Sequence, residues 1–145
     1  MKRVLVVNGP NLNLLGTREP DVYGRTTAAE IEAMVRARAG ELGCEVDFFQ
    51  SNWEGAVLDH LQQHAPGAAG VVLNPAALMY SSYALYDCLR AIRTPVVEVH
   101  LSNIYARQEA FRSHSLTAPA AVAVITGLGP RGYLYAMEYL IDRDE

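Results

Sequence analysis

Amides, hydroxyls and one imidazole gather where the apolar runs of this sequence end. Asn8, Asn11 and Asn13 follow the run 3–7, and Gln50, Ser51 and Asn52 follow the run 44–49. Asn74 closes the run 70–73, while His100, Ser102 and Asn103 sit at the end of 95–101. Side chains of this kind often cap a following helix, and for Asn52 and Ser81 that account is as good as a functional one. His100 differs, because it directly follows Val96, Val97 and Val99. A lone histidine at the end of a strand is more often structural than catalytic. Beside three convergent amides the reading shifts to proton transfer. A second candidate lies in the stretch Gly16-Thr-Arg18-Glu-Pro-Asp-Val-Tyr23-Gly24-Arg25. Tyr23 there is either a plain surface aromatic or a general base. A free tyrosine has a pKa of about 10, and lowering it by about 3 units takes roughly 4 kcal/mol of preferential stabilisation of the phenolate. Two or three arginines in a closed site can supply that field, and they do not compete for the proton.

Other chemistries find no purchase. Of 12 basic residues only Lys2 is a lysine. A Schiff-base mechanism would have to use it, before the first apolar run and a poor position for a catalytic amine. Gly127-Leu-Gly129-Pro-Arg-Gly132 matches a dinucleotide-binding pattern, but too little chain follows for the second strand and ribose-binding acid, so helix–strand packing explains it better. His60 and His64 are one helical turn apart with no third ligand nearby, which reads as a solvated helix face. Cys44 and Cys88 are far apart and belong to no Cys/His cluster, so neither a disulfide framework nor a metal site is expected. The 145 residues carry a net charge of −4, with 50% hydrophobic and 19% charged side chains. That composition describes one globular domain over 1–145, without the clustered basic surface that nucleic acid or an anionic membrane would require. The run Val4 to Val7 is too short for a signal peptide core, and no stretch approaches a membrane span, so a cytoplasmic location is expected.

The elements that must position these residues follow a simple alternation. Strands are predicted at 3–7, 44–49, 70–73, 95–101 and 121–126. Helices are predicted at 27–42, 54–64, 81–92, 106–111 and 130–143. Thr27 and Glu30 form a capping-box pair, Gly43 ends the first long helix, and Pro130 suits the first turn of the last. Apolar strands separated by helices imply a parallel sheet covered on both faces. Five strands with right-handed crossovers give a flavodoxin-like α/β fold of order 2-1-3-4-5. Ligands then bind beyond the carboxyl ends of the strands, where the polar residues gather. Residues 9–26 form one long connection, which suggests a lid or binding segment.

Several segments resemble type II 3-dehydroquinate dehydratases of the shikimate pathway. They are Asn8-Gly-Pro-Asn-Leu-Asn-Leu-Leu-Gly16, Arg18-Glu-Pro, Tyr23-Gly, Gln50-Ser-Asn-x-Glu-Gly55, Glu98-Val-His-Leu-Ser-Asn-Ile104, Phe111-Arg112 and Gly127-Leu-Gly129. The resemblance implies trans-elimination of water from 3-dehydroquinate through an enolate, no metal or organic cofactor, and a homododecamer built from trimers. By the same resemblance Tyr23 is the proton acceptor and Arg18 the arginine that supports its phenolate. Asn11 positions a water against the enolate oxygen. His100 donates a proton to the departing hydroxyl, with Glu98 orienting it. Asn74 binds ring hydroxyls, backbone N–H groups of Leu101 and Ser102 at a helix start receive the substrate carboxylate, and Arg112 binds a hydroxyl. Asp87 reaches a neighbouring subunit's site. The other dehydroquinase type works through a lysine Schiff base, for which this chain has no suitable residue.

The pattern is not matched throughout. Where the family usually has Gly after Asn-Pro, then Thr-His and later Arg-Asp, this chain has Ala76, Met79-Tyr80 and Tyr86-Asp87. Tyr80 thus stands where a histidine normally contacts substrate, and can hydrogen-bond but carry no positive charge. One extra residue lies between Arg107 and Phe111. These differences keep open two further readings: a relative acting on another hydroxylated cyclic acid, and a binding module that has lost efficient turnover.

Overall fold

Each apolar run becomes a strand: β1 (Arg3–Asn8), β2 (Glu45–Gln50), β3 (Gly70–Asn74), β4 (Val96–His100) and β5 (Ala123–Thr126). In this computed structural model, which describes residues 1–17 and 19–143 and only the backbone of Tyr23, they form one sheet of order β2-β1-β3-β4-β5. Every pairing is parallel, with Asn8 level with Gln50 on one side and Asn74 on the other. The topology is flavodoxin-like. Between and beyond the strands run α1 (Pro20–Tyr23), α2 (Ala28–Leu42), α3 (Glu54–His64), α4 (Leu78–Ser81), α5 (Tyr83–Ile92) and α6 (Arg131–Asp142).

The period of two along a strand sends alternate side chains to opposite faces. Val4 and Val6 of β1 join Val72, Val97 and Val99 in a core with Ile31 and Val35 of α2 and Tyr133, Met137 and Leu140 of α6. Leu5 and Val7 join Val71, Leu73 and Val96 against Val57 and Leu61 of α3 and Leu85 and Leu89 of α5. β1, β3 and β4 are buried on both faces, which is why they read as nearly unbroken apolar runs, while the edge strands β2 and β5 are only partly covered. α2 starts at the expected capping box, with Thr27 accepting from the Glu30 N–H, and ends at Gly43 in the left-handed region.

Three elements differ from expectation. The helix predicted over 81–92 is α5, which starts at Tyr83 after a separate short helix, α4, the two divided by Ser82 in extended conformation (φ −101, ψ 90). Its hydroxyl accepts from Leu85 N–H and donates to Glu54, so Ser82 and not Ser81 is the cap. The helix predicted over 106–111 is replaced by two 3-10 turns, Ile104–Ala106 and Ala110–Ser113, separated by extended backbone at Arg107 and Glu109. Asn103 takes the Tyr105 N–H on its side chain, which favours a turn over a helix at that point. The connection 9–26 contains a 3-10 turn, Leu12–Leu14, and α1, pinned by buried Leu12 and Leu15. α6 begins at Arg131, with Pro130 as its cap. Among the described residues no helix is long and apolar enough to cross a membrane.

Candidate active site

β4 lies between β3 and β5 and is buried along its whole length. Val97 and Val99 face α2 and α6, so Glu98 and His100 face the other side. Glu98 is 0% exposed, a costly place for a carboxylate unless it is fully hydrogen-bonded. It is: Oε2 accepts from His100 Nε2 at 2.8 Å and from the Ser115 hydroxyl at 2.8 Å, and Oε1 accepts from the Thr117 hydroxyl at 2.5 Å. With Nε2 committed to Glu98, Nδ1 is the ring nitrogen left for a partner in the cavity. The geometry is that of an acid or base held at one orientation by its rear nitrogen.

On the opposite face, Asn8 and Asn74 end β1 and β3 and meet α6. The fully buried Tyr133 hydroxyl donates to Asn8 Oδ1 at 2.8 Å and accepts from Asn74 Nδ2 at 3.0 Å. Burial holds the Tyr133 phenol well above its usual pKa, so it stays a neutral donor. Asn74 Oδ1 takes the Ala76 N–H at 3.2 Å, which leaves one Nδ2 hydrogen for a ligand.

The loop after β1 makes the facing wall. Gly9 N–H donates to Asn74 O at 2.8 Å, and the approach is so close that a Cβ at Gly9 would fall 2.3 Å from Pro75 O. Asn11 is left-handed (φ 70), and its N–H is held by Asn52 Oδ1 at 2.9 Å. Gln50 Nε2 braces the same loop, donating to Gly9 O and Asn52 Oδ1, both at 3.2 Å. The Asn52 side chain therefore supports the loop and does not cap α3.

The remaining wall follows β4. Thr126 takes Ile104 N–H and donates to Ser102 O, while Arg107 donates to the Ser102 hydroxyl at 3.3 Å. Leu101 and Ser102 precede a three-residue 3-10 turn and not the expected helix, so no α-helix dipole reinforces their N–H groups. Tyr80 packs edge-on against Phe111 at 5.0 Å between ring centroids, with the Arg112 guanidinium 5.0 Å from the Phe111 ring. Arg112 Nε is buried without a hydrogen bond, although Glu109 Oε1 lies 3.3 Å away as an ion-pair partner. Burial disfavours the Arg112 charge, but the Tyr80 hydroxyl and Glu109 outweigh it and raise its pKa, so the guanidinium stays charged.

Seven of the ten residues singled out from the sequence line this one cavity: Asn11, Asn74, Tyr80, His100, Leu101, Ser102 and Arg112. Asp87 does not; it is exposed on α5. Tyr23 ends α1, but its side chain, like all of Arg18, lies outside the described residues. Tyr133, Ser115 and Thr117 escaped the sequence reading. Tyr133 sits among the apolar positions of a helix, and a Ser-x-Thr pair in a loop carries no recognisable spacing. His60, expected on a solvated face, is half-buried instead: it stacks on Phe49 at 4.0 Å and meets Asp47 Oδ2 at 3.1 Å. Among the described residues no three His, Cys, Asp or Glu side chains are grouped as metal ligands.

Comparison with known proteins returns a consistent result. The sequence profile of the family described as dehydroquinase class II matches residues 2–141. A 3-dehydroquinate dehydratase of Thermus thermophilus is 54% identical over 140 residues, covering 96% of this chain and 93% of the relative. 3-Dehydroquinate dehydratase 2 of Pseudomonas aeruginosa is 53% identical over 144 residues, covering 99% and 97%. The crystal structure of a type II dehydroquinase from Butyrivibrio crossotus superposes with a TM-score of 0.94 at 38% identity, covering 97% of this chain and 98% of that one.

Proposed function

The chain belongs to the class II dehydroquinase family and is a 3-dehydroquinate dehydratase, a hydro-lyase of the shikimate pathway; from that premise we propose how its own residues carry the elimination. Tyr23, as phenolate, removes the proton from the carbon next to the ketone, with Arg18 supporting its negative charge. The electron pair moves onto the ketone oxygen as an enolate, which a water held by Asn11 stabilises. The enolate then collapses, the carbon–oxygen bond on the far side breaks, and His100 delivers a proton so that the hydroxyl leaves as water. One proton is taken and one returned, giving 3-dehydroshikimate without a metal or organic cofactor.

Asn74 holds ring hydroxyls, Leu101 and Ser102 receive the carboxylate, and Tyr80 and Arg112 close the far end. The single observation carrying this reading is His100, set on a cavity wall by the buried Glu98 carboxylate at 2.8 Å. A cytoplasmic homododecamer built from trimers, in which Asp87 reaches a neighbour's cavity, completes the proposal. Light scattering returning a monomer would remove the Asp87 role.

The chemistry is tested by following the ultraviolet absorbance of the enone product with purified protein, and by adding borohydride in the presence of substrate. Turnover without borohydride inactivation is expected. Covalent trapping would overturn the acid–base mechanism. Tyr80 supports one alternative, a different hydroxylated cyclic acid as substrate, and faster turnover of such an analogue would favour it.

A further inference from the structure

Glu98 is surrounded by more hydrogen-bonding capacity than orienting one imidazole requires. The hydroxyls of Ser115 and Thr117 lie 3.1 Å apart, each has a single proton, and each is placed to donate it to the carboxylate, one per oxygen. Ser115 Oγ is in turn fixed by accepting Ala118 N–H at 3.1 Å, and Thr117 is wholly buried. Their segment enters a 3-10 turn, Ala118–Ala120, that packs beside α5. The carboxylate therefore cannot rotate without breaking two hydroxyl contacts, and the imidazole at 2.8 Å follows its plane.

We propose that Ser115 and Thr117 are positioning residues for the proton-transfer step: they lock the Glu98 carboxylate so that it accepts the His100 Nε2 hydrogen and presents Nδ1 to the departing hydroxyl. This rests on His100 being the proton donor. Neither hydroxyl lines the cavity, so they touch no substrate atom and leave ground-state binding alone. With one hydroxyl removed, the carboxylate loses a donor and the imidazole loses its fixed orientation. A buried acceptor left short of a partner costs enough that a fall in kcat of about tenfold is expected.

The test is a mutant cycle of Thr117→Val and His100→Gln, with Ser115→Ala as a second, milder probe and Thr117→Ser as the conservative rescue. Thr117→Val should lower kcat about tenfold with KM changed less than about twofold, and Thr117→Ser should restore most of the loss. In the His100→Gln background, Thr117→Val should have little further effect on residual turnover, because the group it positions is already absent. Additive losses in the cycle, a rise in KM in place of a fall in kcat, or an unchanged kcat in both Thr117→Val and Ser115→Ala would overturn the proposal. Should Thr117→Val fail to fold by circular dichroism, Ser115→Ala in the same cycle decides. Full turnover by His100→Gln alone would instead bring down the reading of His100 as the acid, an outcome separable from the others.

Discussion

The two sides of the cavity are built on opposite mechanical principles. His100 closes a buried central strand, and three protein groups fill the carboxylate behind it. The other side comes from a loop whose buried anchors are Leu12 and Leu15, while Asn11, Asn13, Leu14 and Thr17 are exposed. Beyond the Gly9 N–H bond to Asn74 O, the loop is held by side chains: Asn52 and Gln50, at and just past the end of β2, bond its backbone. The proposed acid thus belongs to the sheet, and the proposed base to a single helical turn, Pro20–Tyr23, flanked by positive φ at Glu19 (φ 39) and at Gly24 (φ 83). A reaction that removes a proton at one face and returns one at the other needs both, but only one has to be built into the core.

The contrast can be broken most forcefully at its two ends. Tyr23→Phe and His100→Gln should each lower kcat by about 10²–10⁴-fold, the range for losing a positioned acid or base, as read by the enone assay. Retained turnover in either would remove that side from the mechanism. The next largest effect is expected where the two sides touch. In Gly9→Ala the new methyl would meet Pro75 O at 2.3 Å, and the Gly9 N–H bond to Asn74 would stretch. A destabilisation of about 2–4 kcal/mol in urea titration is expected, from overpacking plus a weakened hydrogen bond. A stability equal to wild type would mean that the loop and the sheet are less tightly joined than this geometry requires.

The sheet side was largely legible in the sequence, and the loop side less so, for a physical reason. Parallel strands buried on both faces leave continuous apolar runs, and the residues just beyond them, such as Asn74 and His100, are then placed by topology alone. The capping box at Thr27 and the left-handed Gly43 are local chemistry, readable from neighbours in sequence. Ser115, Thr117 and Tyr133 act across the fold, the last on a residue 125 positions away, and no local spacing announces such contacts. The helix predicted over 106–111 failed because Asn103 and two extended residues impose turns that the apolar pattern could not reveal.

A smaller loss is expected at Tyr133→Phe. It removes only an oxygen, but Asn8 Oδ1 and Asn74 Nδ2, both on buried residues, lose a partner together. A cost of about 1–3 kcal/mol follows. Because the Asn74 amide would then be held through the Ala76 N–H alone, KM should rise more than kcat falls, the opposite split to that expected at Thr117. Steady-state kinetics beside a thermal melt separates the two faces of the sheet by that signature; a fall in kcat alone would mean that Tyr133 serves the proton transfer instead.

The smallest effect is expected at Ala76, and its sign is opposite. Ala76 follows Pro75 at the end of β3, lines the cavity, and has φ 51, a left-handed conformation that crowds its Cβ. Glycine adopts that conformation freely, though it has more backbone freedom to lose on folding. The two terms oppose each other, and relief of about 1–2 kcal/mol against an entropic cost of about 0.5–1 kcal/mol leaves Ala76→Gly more stable by about 0.75 kcal/mol at the midpoints. For a chain of this size that is a rise in Tm of about 1–3 °C. The alanine is then retained at a cost, at a position that lines the cavity on its firmly built side and packs against the core. A lower Tm in Ala76→Gly would show that the methyl's packing outweighs the backbone crowding, and would move Ala76 from the strained positions to the supporting ones.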